Sequence, residues 1–307
     1  MLSLRTSGTT ARPRRVLRTT DSWDRSFDHV SNLTGIDSTS RVWVPGPTSA
    51  TMNLFARVHS DAVGADVVAH PDDATHAHLT PLSLDRALRD DLLAEGTTVI
   101  VAGDALPESL LARAHGAGLA VHQYYGAAEL SFVAWADDGR TLRPFPEVEI
   151  SVDDDVIWAR SPYLCEGYDD TDGPLRWSDE GAATVGDRGT WIDGVLAVWG
   201  RSEDAVTVAG VTVLVADVEG ALRDNAAGQL TVVGLPDNRL GSVLAAVVTD
   251  ARDVERLRAA AGQMLDPAQR PSHWYVVEDL PSTPAGKPDR ARIRAMLSER
   301  PPMRVAR

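Results

Sequence analysis

Residues 6–15 read TSGTTARPRR. Ser7, Thr9 and Thr10, with Thr6 before them, offer hydroxyl donors, and Gly8 allows close backbone approach. Arg12, Arg14 and Arg15 add positive charge, so the loop has the parts of a phosphate-binding nest. It is not a Walker A loop, because G-x-x-x-x-G-K-[ST] is absent. Taken alone such a stretch is more often an ordinary loop, since Ser, Thr and Gly dominate turns. His76 and His78 have an H-x-H spacing that would point both rings to one face of a strand. The sequence offers no third ligand for them, so metal binding is not expected. Cys165 is the single cysteine and reads as an apolar filler, with nothing marking it as a nucleophile. Asp187 in GDRG and Lys287 in AGKP are, taken singly, a turn residue and a solvated charge.

The elements that must carry these residues follow from periodicity. Residues 20–34 predict a polar-faced helix. VWVP (42–45) predicts a buried strand, residues 48–65 a helix ended by Gly64, and ADVVAH (65–70) the next strand. A helix over 82–96, a strand over 97–103, a helix over 107–118 and a strand over 119–126 continue the alternation. This rhythm predicts an α/β layer with a largely parallel sheet. After about residue 130, short alternating runs such as EVEISV (147–152), DVIWAR (155–160) and VLAVWG (195–200) predict a smaller antiparallel sheet. From 201 the order becomes strand (204–208), strand (211–215), helix (216–225), strand (230–234), strand (243–249), helix (251–265), strand (273–278) and helix (289–299). That describes a compact α+β unit of roughly 100 residues.

Composition bounds the function. The chain has 307 residues, 43% of them hydrophobic, and a net charge of −14. The length suits about two domains of ~100–200 residues each. The negative balance argues against a general nucleic-acid or membrane-surface binder, which needs basic patches. One cysteine leaves no disulfide framework and no four-cysteine zinc site. No apolar run approaches ~18 residues and the N-terminus has no apolar h-region, so a cytoplasmic protein is expected.

Five stretches in order carry a family resemblance: TSGTTARPRR, YYGAAE (124–129), GDRG (186–189) followed by DG (193–194), GRSEDAVTVAG (200–210) and LPSTPAGKPDR (280–290). They resemble the adenylate-forming (ANL) superfamily of acyl-CoA synthetases, peptide-synthetase adenylation domains and luciferases, across nearly the whole chain. GRSEDAVTVAGVTVL, VEGAL and VVGLPDNRLGSVLAAVV look most like the short actinobacterial o-succinylbenzoate–CoA ligases of menaquinone biosynthesis. The resemblance implies an adenylate-forming α/β fold with a large ATP- and acid-binding domain (1–200), a mobile α+β C-terminal domain (201–300) and a tail (301–307). It also implies that the family's N-terminal subdomain is missing, leaving either a minimal enzyme or a shortened chain. Apolar surface exposed by that loss would favour a homodimer or a partner that covers it.

The implied chemistry is carboxylate adenylation by Mg-ATP, then thioester formation with CoA. By resemblance, Thr6, Ser7, Gly8, Thr9 and Thr10 would hold the β- and γ-phosphates, and Glu129 would sit near Mg²⁺. Tyr125 and Gly126 would flank adenine, with Gly103 and Asp104 lining its pocket. Asp187 would accept from the ribose hydroxyls, helped by Arg201. Lys287 would bridge the acid carboxylate and the α-phosphate. Glu203 falls at the interdomain hinge, although a solvated charge is an equal reading. Arg57 falls where o-succinylbenzoate ligases carry an arginine for the distal carboxylate, although a helix-surface ion pair would also account for it.

The sequence departs from the family pattern at several points. Ala11 replaces a glycine, Arg14 a lysine and Arg15 a second glycine. Ala128 stands where a hydroxyl meets phosphate, Thr184 is displaced by one residue so that Val185 precedes Gly186, and Thr207 replaces a lysine. GPT (46–48) replaces the usual aromatic-histidine segment. An alanine at a left-handed glycine position costs ~1 kcal/mol, and a lost charged hydrogen bond about 1.5–3 kcal/mol. Three readings therefore stand: an o-succinylbenzoate–CoA ligase, a ligase for another fatty or aromatic acid, and a non-catalytic nucleotide- or acyl-binding protein.

Overall fold

The structure, a computed structural model, describes residues 1–5, 14–169, 173–201, 205–284 and 286–299. The chain divides into two compact units. The first comprises Met1–Leu106, Leu110–Val198 and Pro284–Lys287; the second comprises Pro107–Ser109, Trp199–Thr283 and the residues from Pro288 on. The first unit is built on a seven-stranded sheet among the described residues. Its order is Asp66–Val68, Arg41–Trp43, His76–Leu79, Thr98–Val101, Ala120–Ala127, Ser131–Ala136 and Arg143–Pro144. The first five strands are parallel, and the last two return antiparallel at one edge.

Parallel strands covered on both faces read as apolar runs, and the TVIV segment does so. Ile100 joins Trp23, Val30, Phe55 and Phe132 under the helices Asp21–Thr34 and Thr51–Val63. Val99 and Val101 join Leu79, Leu84 and Leu111 under Pro81–Arg89 and Glu108–Gly116. Side chains of a strand alternate between faces, so one strand serves both cores. The first two helices stop where Gly35 and Gly64 take φ of 75° and 77°, the left-handed conformation that closes a helix without a Cβ clash.

One helix is shorter than its sequence predicts. Periodicity extends to residue 96, yet the helix ends at Arg89. Its start is strong, with Pro81 in the first turn and a reciprocal Thr80–Ser83 cap. Its end is forced by Asp90 and Asp91, whose carboxylates oppose the negative end of the helix dipole. Asp91 turns left-handed at φ 50°, and Leu92 N–H donates to the carbonyl of Ala87 at 2.9 Å.

Two smaller sheets complete the first unit. Leu2–Arg5, Arg15–Arg18 and Gly167–Tyr168 form an antiparallel three-stranded sheet. Arg5 pairs with Arg15, so a strand precedes the Thr6 loop. The second sheet runs Arg176–Trp177, Ala183–Thr184, Val156–Arg160, Asp187–Ile192 and Val195–Arg201, with Glu149–Asp153 beside Val156–Arg160. Asp154 and Asp155, both at positive φ, make the tight hairpin turn that joins two of its strands.

In the second unit, Leu230–Asp237, Gly241–Val248 and His273–Val276 form a sheet. Val232, Leu244, Ala246 and Val248 pack with helices Val215–Arg223 and Asp253–Met264. Val233, Ala245 and Val247 turn the other way, to Ile293 and Leu297 of helix Arg290–Glu299. The period of two in the strands thus divides the unit into two apolar layers.

Candidate active site

In open α/β sheets, ligands bind beyond the carboxyl ends of the parallel strands. Several of the residues named from sequence stand there. Trp43 leads to Val44, His76–Leu79 to Thr80, and Thr98–Val101 to Gly103. The strand Ala120–Ala127 carries Tyr125 and Gly126 near its end.

The Tyr125 hydroxyl donates to Asp187 Oδ2 at 2.8 Å, joining the large sheet to the smaller one. Asp187 is only 7% exposed. Gly126 sits at a register shift in the strand pair, and a Cβ there would lie 2.0 Å from the Ser131 carbonyl oxygen. Only a glycine lets the two chains approach this closely. The chain then turns, with Leu130 N–H on the Ala127 carbonyl at 3.1 Å, and this turn carries Glu129.

Glu129 is 4% exposed. Its Oε1 accepts from the Tyr168 hydroxyl at 2.8 Å, and its carbonyl accepts from Cys165 N–H at 2.9 Å. Burial first, then the Glu129 charge, hold the Tyr168 phenol well above its ordinary pKa, so it remains a donor. Arg18 is fully buried. Its Nη2 donates to the Tyr163 carbonyl at 3.0 Å and lies 3.4 Å from that of Glu129. Burial pushes Arg18 down to about 10, opposed by Cys165 and Glu129.

Arg57 projects from the helix Thr51–Val63. Its Nη2 donates to the Val44 carbonyl at 2.8 Å, while its buried Nε has no hydrogen-bond partner among the described residues. The same helix borders an open cleft of about 280 Å³ lined by Ser3, Leu4, Thr48, Ser49, Thr51 and Leu54. The GPT departure has a local reason. Asn53 fills the space beside Gly46, where a Cβ would lie 1.9 Å from its Nδ2, and it donates to the Pro47 carbonyl at 3.2 Å. The displaced Thr184 is likewise accommodated, with its hydroxyl accepting from Gly186 N–H at 3.0 Å.

Gly103 has φ 95°. A Cβ there would meet Lys287 Cε at 3.5 Å and Thr80 Cγ2 at 3.6 Å. The Thr80 hydroxyl donates to the Gly286 carbonyl at 2.9 Å. Lys287, Gly103 and Thr80 all belong to the first unit. Asp104 turns its carboxylate onto Ala105 N–H at 2.8 Å. Thr6, Ser7, Gly8, Thr9, Thr10 and Glu203 lie outside the described residues, as does the side chain of Arg201 at the end of its strand.

Residues 217–287 match the family model for the AMP-binding enzyme C-terminal domain. An uncharacterized acyl–CoA ligase of Bacillus subtilis is 26% identical over 96% of this chain. A probable 2-succinylbenzoate–CoA ligase of Mycobacterium tuberculosis is 29% identical over 95% of it. The fold matches that of Escherichia coli MenE with bound OSB-AMS at a TM-score of 0.79, with 23% identity over 90% of this chain. The chain is thus similar to acyl–CoA ligases, and its residues 217–287 match their C-terminal domain model. It spans 68% and 83% of the length of those two relatives and 64% of the solved chain. The fold class is that of the solved adenylate-forming enzymes, with mixed sheets and helices.

Three residues of this candidate site were not singled out from sequence. Thr80 had a signal in the T-P-x-S pattern that opens its helix. Arg18 follows Val16 by two residues on one strand face, and both are buried; alternation alone would have turned it inward. Tyr168 had no signal. Among the described residues, no group of three His, Cys, Asp or Glu side chains could hold a metal. Glu129 brings one buried carboxylate, which suits an ion shared with substrate phosphates, the usual manner of Mg²⁺.

Proposed function

We propose that this chain is an AMP-forming acid–CoA ligase, with o-succinylbenzoate as its acid and menaquinone biosynthesis as its setting in the cytoplasm. The reading is supported foremost by one observation. The Tyr125–Asp187 pair, Gly103 and Lys287 lie toward the carboxyl ends of the parallel strands in a chain similar to acyl–CoA ligases. The acid carboxylate attacks the α-phosphate of ATP, breaking its bond to pyrophosphate and giving an acyl-adenylate. The CoA thiol then displaces AMP and leaves a thioester.

In this reading the Tyr125 ring lies along adenine while its hydroxyl orients Asp187 toward the ribose hydroxyls. The positive φ of Gly103 gives the purine a wall without a side chain. Lys287, a compact charge on a flexible stem, steadies the acid carboxylate and the α-phosphate as negative charge shifts between them. Glu129, held by Tyr168, would ligate Mg²⁺, which neutralises the phosphates when bound. The Thr6–Thr10 loop holds the β- and γ-phosphates. Arg57, tethered to Val44, directs its remaining donors to a second carboxylate of the acid, for which a guanidinium fork is suited. Arg201 assists at the ribose, and Glu203 is the hinge of a C-terminal domain running from 201 to 300 that alternates between the two steps.

The test is AMP release from ATP and o-succinylbenzoate, with and without CoA. CoA-dependent release on the order of 1 s⁻¹ or faster is the expected result, and Lys287→Ala should slow acyl-adenylate formation by more than about 10²-fold to a measurable residual rate. Release with a different fatty or aromatic acid would move the substrate assignment. AMP binding without turnover on any acid would leave only a nucleotide-binding role.

A further inference from the structure

The second unit contains a buried ionic node. Glu219, on the helix Val215–Arg223, is 2% exposed. Its Oε1 accepts from Val232 N–H at 2.7 Å and from the Thr231 hydroxyl at 3.0 Å. Its Oε2 accepts from Arg290 Nη2 at 2.7 Å and Arg223 Nη2 at 3.3 Å. Four donors match the roughly four lone-pair positions of a carboxylate. One of them, Arg290, is the first residue of the last helix and stands three residues after Lys287.

The chain between them is closed at its base. Asp289 N–H donates to the Pro281 carbonyl at 2.8 Å, and Ser282 pairs with Pro288 in an isolated antiparallel bridge. Asp289 also caps the helix, accepting from Arg292 N–H at 3.0 Å. Lys287 therefore leaves a loop pinched at 281–289, and the exit of that loop is tied one residue later to Glu219.

Stability alone does not account for two arginines on one buried carboxylate. Arg223, one helical turn away, already pairs with Glu219. A second arginine adds like-charge repulsion, and apolar residues of similar volume often match or exceed buried ion pairs in stability. What Arg290 adds is a fixed point just after Lys287. We propose that Glu219 and Arg290 are positioning residues that set where the Lys287 amine stands during adenylation.

This inference rests on reading the chain as an acid–CoA ligase that uses Lys287 in its first step. A misplacement of about 1 Å in a catalytic group can cost about 10²-fold. Transfer from a preformed acyl-adenylate to CoA does not use the lysine in that reading, so the loss should fall on one half-reaction.

The experiment compares wild type with Glu219→Gln, Arg290→Met and Arg290→Lys, each checked for folding by circular dichroism. Three readouts apply: o-succinylbenzoate-dependent ATP–pyrophosphate exchange, thioester formation from synthetic o-succinylbenzoyl-adenylate and CoA, and hydrogen–deuterium exchange of residues 281–290. Exchange activity should fall about 10²-fold in Glu219→Gln and Arg290→Met, while transfer from the synthetic adenylate is retained. Arg290→Lys keeps the charge without the fork and should fall between these and wild type. Deuterium uptake over 281–290 should rise while Leu230–Asp237 and Gly241–Val248 stay protected. In a Lys287→Ala background, Glu219→Gln should add no further loss, because the two act through one group. Equal loss in both half-reactions, or an additive loss with Lys287→Ala, would overturn the positioning role. Unchanged exchange in the variants of an active chain overturns the anchor alone. A wild type without exchange on o-succinylbenzoate or any acid of a fatty and aromatic panel overturns the ligase reading, and the anchor's part in adenylation with it.

Discussion

Replacing Tyr125 with phenylalanine removes one hydroxyl and keeps the ring. The hydroxyl is the donor to Asp187 Oδ2 at 2.8 Å, and Asp187 is too buried for water to substitute freely. A hydrogen bond to a charged group contributes about 1.5–3 kcal/mol. That loss should appear first in the ligand-free protein, as a fall of about 5 °C in the unfolding midpoint of the larger unit. The second effect is on nucleotide affinity. The bond exists before binding, so its direct energy cancels between free and bound states. What remains is the loss of orientation at Asp187, a fraction of the same 1.5–3 kcal/mol, or up to about tenfold in the Kd for AMP at 1.4 kcal/mol per decade. Asp187→Asn should weaken AMP further by removing the charged acceptor. The assay is calorimetric titration of AMP into wild type, both single variants and the double variant, with thermal unfolding alongside. The reasoning requires coupling between the two positions, so that Tyr125→Phe costs less affinity once Asp187 is asparagine. Additive losses, or wild-type AMP affinity in both single variants, would refute it and remove the pair from the nucleotide site.

Three other outcomes are expected. Gly126→Ala drives a Cβ to 2.0 Å from the Ser131 carbonyl oxygen and should destabilise by about 1–3 kcal/mol, read from urea unfolding. Burial, with His59 and His76 adding to it, pushes His78 down to about 3, below the unfolded value of about 6.5. The unfolded chain then binds the extra proton between those values. Stability is complete above pH 6.5 and declines as pH falls toward 3, with a slope approaching about 1.4 kcal/mol per unit; His78→Leu should flatten that slope in urea midpoints measured from pH 7 to 5. Arg57→Lys keeps the charge and loses the fork, so the KM for o-succinylbenzoate should rise about tenfold or more with the KM for ATP unchanged in steady-state kinetics.

Local order in this chain was largely legible because its signals are local. Gly35 and Gly64 end helices where the apolar spacing stops, and TVIV is buried on both faces because its helices cover both. The helix over 82–96 was overread because its periodicity continues past the Asp90–Asp91 stop, where electrostatics outweighs spacing. In the site, the order of motifs carried the resemblance to acyl–CoA ligases, while the contacts themselves carried no sequence signal. Tyr125 and Asp187 are far apart in the chain and belong to different sheets, and neither residue type announces the other. Glu219 sits in an ordinary amphipathic helix, where a buried carboxylate is indistinguishable in sequence from an exposed one.

Composition, periodicity and turn chemistry by themselves determined that the chain forms helices and strands in an α/β pattern, and where most of them begin and end. Those choices depend on residues within a few positions of one another. The tertiary structure alone decided that Arg18 meets the carbonyls of Tyr163 and Glu129, that Tyr125 reaches Asp187, and that Arg290 closes on Glu219. Each of these joins groups brought together only when sheets and helices pack, and in each a buried charge finds its partner because water is no longer there to serve as one.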